Sequence, residues 1–254
     1  MFIDTHVHLN NKTLNAKLEE VLKEASNVSV NKFLVVGYDL ESSKLALDIA
    51  KKYDNCFCAL GFHPTEIRGY SDDEYNWLES HLTDDKVVAL GEIGYDFYHD
   101  DTTKEEQEVA FIRQIELAKK YKLPVVIHSR DALEITYNTL KDHHIEEVGG
   151  VMHSYSGSYE FAPNFIKLNL LLGISGPVTF KNGIKMKEVV EHIDLKYLLS
   201  ETDSPYLTPH PYRGKENGPK FIPLIVEEIA KIKNISVDDC AKQLMDNANR
   251  LFKI

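Results

Sequence analysis

The chain has 254 residues, 43% hydrophobic and 27% charged, which is the make-up of a globular protein long enough to bury a substantial core. Its net charge of −11 argues against a surface built for non-specific capture of polyanions. Any nucleic-acid contact is therefore expected only at a site mouth, where bound cations or a local basic cluster dominate.

Eight short apolar segments read as strands: residues 2–3, 33–36, 57–60, 87–90, 125–127, 150–152, 170–174 and 197–199. Their centres lie roughly 20 to 40 residues apart, the spacing of successive βα units. After the first strand, Leu14, Leu18, Val21, Leu22 and Ala25 form a helical stripe, and Leu45, Ala46, Ile49 and Ala50 form a second one further on. Thr103 and Glu106 are spaced as a capping box, opening a long helix that ends near Tyr121 with Phe111, Ile115 and Ala118 on one face. The stretch 204–219 is rich in proline and glycine and reads as an active-site loop after the eighth strand. Helices over 221–233 and 236–251 close the chain.

Alternating strands and helices imply a mainly parallel sheet. Eight units in this length predict one α/β domain over residues 1–254, a (β/α)₈ TIM barrel, rather than an open doubly wound sheet. A nucleotide-binding α/β fold needs a glycine-rich turn after its first strand, and here that turn is His6-Val7-His8-Leu9-Asn10. No basic n-region followed by an apolar stretch opens the chain, and no apolar run approaches the roughly 20 residues needed to span a bilayer. Cys56, Cys58 and Cys240 lack metal-type spacing and read as reduced thiols, so a cytoplasmic protein, monomeric and without membrane contact, is expected.

Six metal-ligand types fall at the ends of these strands: His6, His8, Glu92, His128, His153 and Asp203. Alone, each has a bland explanation as a core histidine, a helix cap or a salt-bridge partner. Together at one end of one sheet they predict a divalent-metal site. Two residues apart on a strand, His6 and His8 point to the same side and can grip one ion. Glu92 follows Val87-Val88-Ala89-Leu90-Gly91, and a carboxylate there is costly to bury unless cations neutralise it. Oxygen and nitrogen ligands without thiolate suit Mg²⁺, Mn²⁺ or Zn²⁺, and six ligands with one shared carboxylate are enough for two ions.

The strings around these residues closely resemble the TatD family of metal-dependent hydrolases. They include Phe2-Ile3-Asp4-Thr5-His6-Val7-His8-Leu9, Gly61-Phe62-His63-Pro64 and Gly91-Glu92-Ile93-Gly94-Tyr95-Asp96. Pro124-Val125-Val126-Ile127-His128-Ser129-Arg130, His153-Ser154-Tyr155-Ser156-Gly157-Ser158, Gly176-Pro177-Val178-Thr179-Phe180-Lys181 and Glu201-Thr202-Asp203-Ser204-Pro205-Tyr206-Leu207 continue the match. The resemblance implies a TIM barrel and a metal-dependent deoxyribonuclease or phosphodiesterase acting on nucleic-acid ends. It implies that His6, His8, Glu92 and Asp203 hold one ion, that Glu92, His128 and His153 hold the second, and that His63 contacts the scissile phosphate. One departure is Gly218, which stands where the family usually carries a Glu between Asn217 and Pro219.

On this reading Asp203, His63 and Glu92 are the catalytic residues, with Asp203 accepting a proton from the attacking water. Arg130 and Arg213 are the expected substrate contacts, with Lys181 and Lys215 as further phosphate-binding candidates and Tyr155, Phe180 and Tyr206 as stacking surfaces for bases. The same ligands also support ester, lactone or amide hydrolysis, including deacylation of aminoacyl-tRNA. A carboxylate at Glu92, where many amidases of the wider group carry a modified lysine, favours the nuclease branch.

Overall fold

All eight expected strands occur in the computed structural model, which describes residues 1–254. β1 (Phe2–Val7), β2 (Val30–Val36), β3 (Cys56–Leu60), β4 (Val87–Asp96), β5 (Val125–Arg130), β6 (Gly150–Met152), β7 (Leu170–Ile174) and β8 (Leu198–Ser200) lie side by side in chain order. Every neighbouring pair from β1 to β8 is parallel. The seam between β8 and β1 has no regular ladder. It is held by a bridge between Val7 and Ser204, by Thr5 Oγ1 donating to Ser200 O (3.1 Å) and by Ser200 Oγ donating to Ile3 O (3.3 Å). Asp203 N–H donates to His6 O (2.9 Å) and His8 N–H to Ser204 O (3.0 Å), so the seam is pinned at the end that carries the ligands. The architecture is a TIM barrel.

The helices between the strands are α1 (Lys12–Asn15), α2 (Leu18–Asn27), α3 (Leu40–Lys52), α4 (Asp72–His81), α5 (Lys104–Tyr121), α6 (Leu133–Asp142), α7 (Ala162–Lys167) and α8 (Ile184–His192). α9 (Ile222–Lys233) and α10 (Val237–Phe252) follow the long loop after β8. The stripe expected as one helix from Leu14 to Ala25 is broken. Lys17 leaves helical geometry (φ −131°, ψ 32°) and pairs with Glu216 of the loop after β8. The capping box of α5 is present: Thr103 Oγ1 accepts from Glu106 N–H (3.1 Å), and Glu106 Oε2 accepts from Thr103 N–H (2.7 Å).

Two layers of apolar packing result. The larger lies between barrel and helices. The smaller fills the barrel interior, with side chains from every strand, including Ile3, Leu34, Val88, Val126 and Leu199, and the end of α10 plugs its base through Ala248 and Phe252.

Strand parity matters for the site. With Ile3 facing the interior, strict alternation would send Thr5 and Val7 inward and turn His6 outward. The pairing of β1 with β2 shifts between Asp4 and Val7, where three steps on β1 match two on β2. This bulge puts Val7 in the outer layer and frees His6 and His8 to face the barrel axis. β4 carries a similar irregularity against β5, between Leu90 and Ile93, and Glu92 sits inside it. Gly94, at φ +144°, packs directly on the His128 carbonyl, where any Cβ would collide.

Candidate metal centre

The fold brings the six strand-end candidates to one end of the barrel, although not all lie beyond their strands. His6, Glu92 and His128 belong to the last turns of pleat in β1, β4 and β5, while His8, His153 and Asp203 follow β1, β6 and β8. β4 and β5 extend further than the apolar runs suggested because polar residues there still complete the ladder, as Gly94 pairs with His128 and Asp96 with Arg130.

Four donor atoms form one cage. His6 Nε2 lies 3.2 Å from His8 Nε2, 3.4 Å from Glu92 Oε2 and 3.8 Å from Asp203 Oδ1. His8 Nε2 lies 3.9 Å from Glu92 Oε2 and 3.4 Å from Asp203 Oδ1. Ligands held about 2.0–2.2 Å from a common ion stand roughly 3–4 Å apart, which is the range of these separations, and His6, His8 and Asp203 form a candidate metal-holding group. Glu92's other oxygen faces a different set. Oε1 is 2.9 Å from His128 Nδ1 and 3.9 Å from His153 Nε2, and His153 Nε2 is also 3.7 Å from Asp203 Oδ1.

The far nitrogens of two ligand histidines are held from behind. His8 Nδ1–H donates to Val36 O at 2.9 Å, leaving Nε2 with its lone pair toward the cage. His128 Nε2–H donates to Asp96 Oδ2 at 3.0 Å, leaving Nδ1 free to face Glu92. Asp96 is itself fixed: Oδ1 accepts the N–H groups of Tyr98 (3.0 Å) and His99 (2.9 Å), and Gln107 of α5 clamps its backbone on both sides. Beneath the cage, Glu201 is fully buried with Oε1 2.9 Å from His153 Nδ1.

The chemistry of this donor set also calls for cations. Glu92, Asp203, Asp96 and Glu201 are all largely buried, yet their close ion-pair partners are histidines alone, with no lysine or arginine. Burial opposes the charge on Glu92, but His6 and His153 and the hydrogen bonds from His128 and His6 outweigh it, so its carboxyl is held well below the usual range. Asp203 is lowered despite burial, by His153 and His8. Burial works against a proton on His153, yet Glu201, Asp203 and Glu92 push it up to about 10. The histidine protons that balance these buried anions are what a divalent ion would replace on binding.

His63 stands in the loop after β3, its ring centroid 4.3 Å from that of His128. Burial first, and then His128, push its pKa down to about 3, so the ring is neutral at pH 7. Thr65 N–H donates to Nδ1 (3.3 Å) and the Thr65 hydroxyl lies 2.8 Å from the same nitrogen. Nδ1 is thus an acceptor, and the neutral ring carries its proton on Nε2. These groups open into a cleft of about 870 Å³ whose walls include Tyr38, Glu66, Arg130, Asp131 and Tyr206.

Comparison with known proteins accounts for this arrangement. The sequence matches the family described as TatD related DNase over residues 3–253. The chain belongs to the TatD family. It is 41% identical to the uncharacterized metal-dependent hydrolase YabD of Bacillus subtilis, with both chains covered in full. It is 34% identical to the uncharacterized metal-dependent hydrolase YcfH of Escherichia coli K12, over 99% of this chain and 96% of that one. The crystal structure of YjjV, a TatD homologue from Escherichia coli K12, superposes with a TM-score of 0.95 at 32% identity, over 100% of this chain and 98% of that one. Metal-dependent hydrolysis is therefore the activity class of this TatD protein.

The remaining sequence candidates divide by position. Arg130 lines the cleft, its guanidinium 3.9 Å above the Tyr98 ring. Arg213 does not line it, and stacks 4.2 Å over Phe180 instead. Lys181 and Lys215 also lie outside the cleft lining. Tyr206 is exposed at the mouth, whereas Tyr155 is buried with its hydroxyl on Ser158 O, so it packs and cannot stack on a base. Where the family's Glu is replaced by Gly218, Asn217 still anchors the loop: it is buried, and its Nδ2 donates to Thr202 O at 2.9 Å. Asp96, Glu201 and Thr65 were given no role by sequence reasoning. The available signal was a second carboxylate close to a ligand, four residues after Glu92 and two before Asp203. All three cysteines are free and buried, and no helix is long and apolar enough to cross a membrane.

Proposed function

We propose that this TatD-family hydrolase cleaves phosphodiester bonds at the ends of DNA, using two divalent ions, Mg²⁺, Mn²⁺ or Zn²⁺. The carrying observation is that Glu92 directs its two oxygens at two different ligand sets, Oε2 at His6 and Oε1 at His128. His6, His8, Glu92 and Asp203 would hold one ion, and Glu92, His128 and His153 the other. Two such ions would supply an activated water and charge neutralisation for an in-line displacement at phosphorus.

The protein's own groups fit the other steps. Asp203 keeps part of its side chain open to the cleft, which suits a carboxylate that takes the proton of an attacking water. Neutral His63 offers an Nε2–H donor in the same cleft, suited to an oxygen on which negative charge grows. Arg130 is the cationic side chain of the cleft wall and would meet a flanking phosphate, with Tyr206 beside it for a base. The family description supports DNA as the substrate.

One observation favours a second reading, in which a smaller ester, lactone, amide or aminoacyl ester is hydrolysed. Beyond the ligands, the cleft wall carries Glu66 and Asp131 against the single Arg130, an unwelcoming rim for a long polyanion. The test is to load the protein with Mn²⁺ or Mg²⁺ and offer single-stranded DNA labelled at either end, beside an ester, lactone and aminoacyl panel. Stepwise shortening from one end supports the nuclease. Turnover confined to the panel overturns it.

A further inference from the structure

We propose that Glu201 braces both halves of the metal centre at once, its single carboxylate orienting His6 of one ligand set and His153 of the other; this rests on the two-ion reading above. Glu201 sits immediately after β8, with a fully buried side chain. Its Oε1 accepts the Ser154 N–H at 2.6 Å and lies 2.9 Å from His153 Nδ1. The rings of His6 and His153 are stacked, centroids 3.6 Å apart and 25° between planes, so a group that orients one ring constrains the other. Donor atoms of His6, His153 and Glu201 all fall within 4.8 Å of one another.

Three buried polar atoms of these residues have no hydrogen-bond partner: His6 Nδ1, His153 Nδ1 and Glu201 Oε2. His6 commits Nε2 to the cage, so a neutral ring carries its proton on Nδ1, and that buried nitrogen has no other partner. Glu201 Oε2 is a buried acceptor that is equally without a partner. Two unpartnered imidazole nitrogens and one unpartnered carboxylate oxygen in the same enclosed space are costly apart, and a carboxylate that turns to both rings answers all three. Packing agrees. On the adjacent strand β7, a Cβ added at Gly173 would meet the Glu201 carboxylate, which supplies all three of its nearest atoms. The sheet leaves a gap the size of a methyl group for this side chain.

Glu201 thereby differs from the other partners behind the ligands. Among the candidate ligands, Val36 O serves only His8 and Asp96 only His128, each in one ligand set. Glu201 is a positioning residue shared between sets, so loss of its charge must weaken both ions.

The experiment titrates metal-free full-length protein with Mn²⁺ or Zn²⁺ by calorimetry and follows the melting temperature of the metal-free form. Wild type should take up two ions, and fewer than two would overturn the two-ion reading itself. With two ions established, Glu201→Gln should weaken both by about 10–100-fold, without lowering the metal-free melting temperature. Gly173→Ala displaces the carboxylate while keeping its charge, and should weaken both ions in the same way. Weakening of one ion only, or unchanged affinities with a lower melting temperature, would overturn the bracing role.

Discussion

Replacing Asp96 by Asn changes one atom at a position that touches no expected ion, which makes it a sharp test of how the second ligand set is held. Asp96 Oδ1 is tied to the N–H groups of Tyr98 and His99, so an Asn would keep its oxygen there and turn its NH₂ toward His128 and His99. The Oδ2 position, 3.0 Å from His128 Nε2 and 3.1 Å from His99 Nδ1, would then present a donor to a donor. His128 escapes by moving its proton to Nδ1, the nitrogen 2.9 Å from Glu92 Oε1, where it occupies the lone pair an ion needs. Burial raises the pKa of Asp96, but His128 and the N–H and side chain of His99 hold it well below the usual carboxylate range, so the native group is charged throughout the neutral region. Loss of such a partner typically costs about 10–100-fold in metal affinity, or about 1.4–2.7 kcal/mol. Calorimetric titration of metal-free protein should show this loss for one of the two ions, with the other unchanged. A variant that folds and binds both ions as wild type does would refute the tautomer argument.

Three further outcomes follow from the same geometry. Asp203→Asn should lower kcat by at least about 10²-fold while circular dichroism stays native, because an amide cannot take up a proton at neutral pH; near-normal turnover would remove Asp203 from the chemistry. His63→Ala, which removes the donor, should lower kcat by about 10²–10³-fold with metal content intact, the loss expected for one hydrogen-bond donor to developing charge, and a variant that instead loses metal would reassign His63 as a ligand. Stripping metal with a chelator should lower the melting temperature by about 10–20 °C relative to protein held at 100 times the metal's Kd, since two sites at about 2.7 kcal/mol each contribute about 5.4 kcal/mol. An unchanged melting curve would mean that the buried carboxylates are satisfied without ions.

Local sequence was a good guide where the physics is local. Apolar runs of strand length and the Thr103–Glu106 capping box depend on neighbours in the chain, and the strands and α5 lie where they were expected. The one-helix expectation over Leu14 to Ala25 failed at Lys17, which leaves helical geometry and whose side chain meets Glu216, 199 residues away. Arg213 was as good a phosphate contact as Arg130 on paper. Only the folded loop decides that Arg213 stacks on Phe180 while Arg130 lines the cleft.

What the sequence determined by itself was the inventory: eight βα units and six candidate ligands at one end of them, because a side chain carries its own chemistry and the apolar run before it sets its place. What only the tertiary structure decided was aim. Alternation alone would have pointed His6 away from the barrel axis, and the bulge that turns it inward exists only in the pairing of β1 with β2. The division of Glu92's oxygens, the tautomer set by Asp96 and the place of Glu201 under two histidines likewise join residues 32 to 195 positions apart. The sequence offers at most a second carboxylate near a candidate ligand, and which histidine it meets is decided by the closing of the barrel.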